Sequence, residues 1–73
     1  MAVLSEMKTG YKGEIGRVVG SPVLVERLNE LGLLPGESVQ IRSKMFAKGP
    51  VVIDFRATSI ALRYEEASCL QML

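Results

Sequence analysis

The chain has 73 residues, enough for one small domain, and 48% of them are apolar, which excludes intrinsic disorder. A net charge of +1, no histidine and a single cysteine give no support to strong polyanion binding and exclude an imidazole-based catalyst and an internal disulfide. The usual staples of so small a scaffold are therefore missing, and sheet closure or homo-oligomerisation is the expected compensation.

The opening MAVLSEMKTG has no basic region followed by an apolar run, so no secretory signal is read there. No stretch approaches the roughly 20 apolar residues of a membrane-spanning helix. A cytoplasmic protein without direct membrane insertion is expected, and residues 1–73 read as one unit with no repeat or linker.

Lys12 to Val19 reads as a first strand. Ile15 and Val18 fall on opposite faces of a regular strand, and a bulge at Gly16 would bring both to the core. Ser21 followed by Pro22 is a helix start, a cap and a first-turn proline. Leu24, Leu28 and Leu31 then recur at the spacing of one buried helical stripe of about ten residues. Gly32 falls where the helix ends and suits the left-handed residue after its C-cap, with Leu33 able to fold back on the last turn. Pro35 and Gly36 fit the two central positions of a type II turn.

From Ser38 onward the pattern is β. Val39 and Ile41 alternate with Gln40, Arg42 and Lys44, and Val51, Ile53 and Phe55 alternate with Val52, Asp54 and Arg56. MFAKGP, residues 45–50, is the hairpin tip between them, and Arg42 lies within reach of Asp54 across the pair. Ala57 and Thr58 mark a turn into Ser59–Arg63, with Ile60 and Leu62 inward. The polar YEEAS could make one helical turn before a last short strand, Cys69–Met72. The fold class expected is mainly β: a small antiparallel barrel of about five strands with one short helix between strands 1 and 2.

Candidate chemistry is sparse. Cys69, followed by Leu70, has an apolar context and no visible activating partner, which fits a reduced core thiol. Glu65 and Glu66 are adjacent, so their side chains diverge, and both read as solvated rather than as a paired-carboxylate or metal site. Gly10, Gly13, Gly16 and Gly20 have neither the ending nor the spacing of a phosphate loop. Two tyrosines, two phenylalanines and no tryptophan offer no stacking platform, so no nucleic-acid partner is expected. No catalytic residue, no metal ligand and no cofactor is assigned.

A protein-binding surface is what remains. Met45 and Phe46 sit at the hairpin tip beside Lys44 and Lys48, and Leu33 and Leu34 form a second apolar pair in the helix-to-strand turn. Apolar residues rimmed by charge suit a partner surface. The competing arrangement has Met45 continuing the inward alternation and Phe46 lidding the barrel end. Residues 42–63 hold five basic side chains (Arg42, Lys44, Lys48, Arg56, Arg63) against one acid, Asp54, which is either a solvated outer face or a face that orients an acidic partner.

LNELGLLPGESVQI, Leu28 to Ile41, resembles the helix end and LGLxPG turn of the FeoA family, small cytoplasmic components of bacterial ferrous iron transport. SIALRYEEASCLQM, Ser59 to Met72, resembles the family's LALRxxEA segment and closing strand, and LSEMKTGYKGEI, Leu4 to Ile15, resembles its start. The chain departs from the pattern at Ala57, where many relatives have glycine, and at the tip, which has no aspartate. The resemblance implies an SH3-like barrel that is neither permease nor enzyme. It also implies a partner: FeoB, a membrane protein with a cytoplasmic G-domain, through which such proteins are thought to support or regulate iron uptake. Similar domains end metal-dependent repressors, so a regulatory domain acting in trans on such a repressor is the alternative. A start at Met1 without a helix-turn-helix fits the free-standing form. The family offers no metal-ligand motif that maps onto these residues.

Overall fold

The structure, a computed structural model, describes residues 2–73. Five strands run as β1 (Lys12–Val18), β2 (Ser38–Lys44), β3 (Val51–Phe55), β4 (Thr58–Leu62) and β5 (Leu70–Met72). Helix α1 (Pro22–Glu30) lies between β1 and β2 in the chain, and the one-turn α2 (Tyr64–Ala67) between β4 and β5. A 3-10 turn at Leu4–Glu6 precedes them all.

The strands form one antiparallel sheet in the order β4-β3-β2-β1-β5. The register of β1 against β5 slips between Ile15 and Arg17, so the bulge falls at Gly16, where the mismatched alternation places it. A second slip lies between Ile41 and Ser43 in the β2–β3 pair.

The expectation of a closed barrel with a single helix is corrected. β4 and β5 stand at opposite ends of the sheet order and share no ladder among the described residues. The chain passes from β4 to β5 through α2 instead, with the 3-10 turn packed against both α2 and β5. Beyond α1 there are two further helical turns: α2, in the YEEAS segment where the sequence allows for one, and the 3-10 turn at Leu4–Glu6, which the sequence does not announce. Leu4 of the N-terminal turn is fully buried, and Val3 bridges to Gln71 while Met72 N–H donates to Ala2 O at 2.9 Å. Residues 2–4 thus cover the outer edge of β5.

The core gathers the inward positions of every strand: Ile15, Val39, Ile41, Val51, Ile53, Phe55, Leu62, Leu70 and Met72 are all buried. α1 closes it with Leu28, fully buried, flanked by half-buried Leu24 and Leu31. Ser21 Oγ accepts from Leu24 N–H at 3.3 Å, the capping bond its position suggests.

The helix ends in a Schellman motif. Gly32 has φ +90°, its N–H donates to Asn29 O at 2.9 Å, and Leu33 N–H donates to Leu28 O at 3.0 Å. The second glycine follows at once: Gly36 has φ +95°, and Glu37 N–H donates to Leu34 O at 3.1 Å, closing the type II turn over Pro35. Gly36 N–H to Ile15 O (2.8 Å) and Ile15 N–H to Glu37 O (2.9 Å) pin this turn to β1. These bonds aim β2 along the sheet and deliver the β2–β3 tip at its far end.

Candidate protein-binding surface

Each residue of the expected surface has a different environment. Phe46 is 97% exposed and Met45 60% exposed, so neither continues the inward alternation nor lids the core. The loop that carries them is closed by Met45 N–H donating to Pro50 O at 3.0 Å, with Ala47 in the left-handed region at φ 59°. A buried phenylalanine is worth about 1.5–3 kcal/mol relative to an exposed one, and this chain holds one fully in water. Lys48 is exposed, its Nζ 5.9 Å from the centre of the Tyr64 ring.

Leu33 is corrected as a contact residue. It is fully buried, because the Schellman motif folds it back on the helix, and it offers a partner no surface. Leu34 is 43% exposed but stands just before β2, whereas Met45 and Phe46 stand just after it. Seven residues of strand separate them, about 20 Å at 3.3 Å per residue. The two apolar pairs therefore do not make one patch. Lys44 is also occupied: its Nζ donates to Ser5 O at 2.8 Å and Met7 O at 2.7 Å, tying the N-terminal turn to β2.

The remaining basic residues sort by partner. Arg42 Nε donates to Asp54 Oδ1 at 2.9 Å, the cross-strand pair the alternation suggests. Ser59 Oγ donates to the same oxygen at 2.6 Å, and these two bonds, the serine's first, hold the Asp54 carboxyl below the ordinary carboxylate range. Arg56 grips Glu37 through Nε at 3.2 Å and Nη2 at 2.9 Å, which raises the guanidinium above its usual value. An open polar groove runs beside Arg42, Asp54, Arg56 and Ser59, but its cations already have acids. Lys48 and Arg63 have no salt bridge among the described residues.

Sequence reasoning missed Tyr64, and it counted Arg63 among the basic residues without placing it beside the tip. Val51 pairs with Lys44 on one side and Leu62 on the other, so the residues after Leu62 lie at the same end of the sheet as the tip. Counting back from the Arg56–Ala57 turn would have placed them there. The surface at this end is Met45 and Phe46 at the tip, Tyr64 beneath Lys48, and Arg63 at the side.

The groups that suggested chemistry turn out to be structural. Glu66 is only 2% exposed, so its expected solvation is corrected: Oε1 accepts from Arg63 N–H at 2.8 Å and Oε2 pairs with Arg27 Nε of α1. Cys69 is buried and its Sγ donates to Glu65 O at 3.3 Å; burial, then the Glu66 carboxylate, pushes the thiol up and keeps it neutral. Among the described residues no three His, Cys, Asp or Glu side chains gather in a metal-binding group, and no helix is long and apolar enough to cross a membrane.

Comparison with known proteins gives consistent relatives. The family model of the FeoA domain matches residues 2–72. The crystal structure of an iron uptake regulatory protein, FeoA, superposes with a TM-score of 0.86 at 28% identity over 99% of this chain and 93% of that one. FeoA of Stenotrophomonas maltophilia, a prokaryotic SH3 domain protein determined with zinc, gives 0.84 at 26% identity over 99% and 89%. A manganese-dependent transcriptional repressor gives 0.91 at 12% identity over 99% of this chain and 36% of that one, a likeness of fold alone. No curated protein matches the chain.

Proposed function

The chain belongs to the FeoA family, small accessory domains linked to ferrous iron transport, and we propose that it is a non-catalytic module that docks on a FeoB-like membrane transporter. It acts in the cytoplasm on the transporter's G-domain region and supports or regulates iron uptake through that contact. The observation that carries the reading is Phe46, a large aromatic side chain 97% exposed at the end of a closed loop. Aromatic anchors of this kind dominate interface energetics when a partner pocket receives them. Met45 extends the apolar centre, while Lys48 and Arg63 form a cationic rim that steers an acidic partner. What supports the iron-transport setting is the family itself and the S. maltophilia relative, described as a candidate activating factor of ferrous iron transport.

The test is co-purification with the soluble domain of the transporter, repeated with Phe46→Asp. Loss of capture by a variant that stays folded is expected, since nothing in the core touches this side chain. Equal capture would remove the tip from the account.

A second reading has one observation in its favour, the close fold match to a metal-dependent repressor that carries a domain of this shape within a longer chain. There the protein would act in trans on a repressor. Capture of a repressor's dimer, and not of the transporter domain, would select it.

A further inference from the structure

The two edges of the sheet are treated differently. The β5 edge is covered by residues 2–4, through the Val3–Gln71 bridge and the Met72 N–H to Ala2 O bond. The β4 edge has no such cover among the described residues. Phe55 and Thr58 flank a two-residue loop and so form a hydrogen-bonded pair, and the bonds then alternate along the ladder. The neighbouring ladder agrees: Ile41 N–H donates to Tyr11 O, away from β3, so Gln40 bonds to Asp54, and Asp54 in turn cannot bond to Ser59. Ser59 and Ala61 therefore point their N–H and C=O groups away from β3, and no turn, loop or cap among the described residues bonds to them.

A free edge normally carries a protective device such as a lysine, a proline, a bulge or a covering loop. β4 reads TSIAL, with no charge and no proline, and its register against β3 is unbroken. Both Ser59 and Ala61 are exposed. We infer that the β4 edge is a binding site for an extended segment of a partner protein, added antiparallel or parallel as a sixth strand, with an acidic side chain of that segment against Arg63.

Charge selects this occupant over a second copy of the chain. Antiparallel self-pairing centred on Ile60 would match Ser59 with Ala61, but it would also set Arg63 opposite Ala57 and beside Arg56 of the other copy, at both ends. Glu65 and the paired Asp54 and Glu37 are the acids in the neighbourhood, and only Glu65 is uncommitted among them. An incoming acid at Arg63 meets a cation that has no salt bridge. The edge shares Arg63 with the surface at the tip but not Phe46, and its occupancy does not depend on Phe46.

The experiment is a titration of the labelled chain, followed by backbone amide shifts. The probes are a capped alternating Thr/Val peptide with a diglutamate end and its dilysine counterpart. The diglutamate peptide should shift the amides of Ser59 and Ala61 and protect them from exchange. Arg63→Glu should weaken it about tenfold and reverse the preference between the two peptides. Ala61→Pro removes one outward N–H and leaves the ladder to β3 intact, so it should abolish the shifts. Phe46→Asp should bind the peptide as the unaltered chain does. Equal binding of both peptides, no shift at Ser59 and Ala61, loss of binding in Phe46→Asp, or concentration-dependent broadening at β4 without peptide would each overturn the inference. Should Ala61→Pro fail to fold, the amide map and the Arg63→Glu reversal decide alone.

Discussion

Ala47 and Phe46 are neighbours with opposite kinds of strain. Ala47 holds a left-handed backbone at φ 59°, where a Cβ costs roughly 1 kcal/mol that glycine does not incur. Ala47→Gly is therefore expected to raise stability by about 0.5 kcal/mol after the entropy of glycine is counted, read as a higher urea midpoint at unchanged slope. Phe46 leaves its backbone relaxed but its ring in water. Asp54 gives a prediction in pH. Its carboxyl is depressed in the folded state by Ser59 and Arg42, so the unfolded chain binds the proton more readily. The stabilisation is complete above the unfolded value near 4 and is lost as pH falls through the lower folded value. The stability difference between the chain and Asp54→Asn should be flat from neutral pH down to about 5 and shrink below about 4. A difference that instead shrank toward alkaline pH would contradict the assignment.

At the scale of elements, the contact that joins α1 to α2 is the pairing of Arg27 with Glu66. Arg27 is largely solvated while Glu66 is not, so removing the arginine strands a buried carboxylate with a single backbone donor. Arg27→Ala should cost about 2 kcal/mol, and adding Glu66→Gln to it should recover part of that, by denaturant titration of the four-member cycle. What could be read from the chain divides along the same line. The LGLLPG punctuation was legible because a helix cap and a type II turn are set by residues within six positions, through backbone conformations that few residue types adopt. The Gly16 bulge was legible because Ile15 and Val18 break the period of two. Glu66 was not, since its burial depends on an arginine from the other helix. Lys44 was not either: its ammonium caps carbonyls of an N-terminal turn whose docking no local pattern announces. Leu33 reads both as folding back on the helix and as half of an apolar pair with Leu34; the Schellman turn settles it by sending Leu33 inward and leaving Leu34 at the surface.

On the scale of the whole molecule, a sheet of five short strands is finished in two different ways. One edge is covered by the N-terminal residues, and the other is left bare beside Arg63, which has no salt bridge among the described residues. Closure into a barrel was not legible because β4 and β5 are linked by a helical turn that could equally have accompanied a ladder between them. The family was legible, since its two motifs span both halves of the chain. Of the candidate surface, Met45, Phe46 and Lys48 were legible in the sequence and Arg63 only as one of several basic residues, while Tyr64 and the grouping of Arg63 with the tip required the β3–β4 register. The central claim is that this end of the molecule is where a FeoB-like partner docks. Amide shift changes of the labelled chain on adding the soluble G-domain of such a transporter test it most directly. They should cluster at Met45–Lys48 and Arg63–Tyr64 and leave α1 and Leu34 unmoved; changes centred on Leu34 and α1 instead would contradict the account.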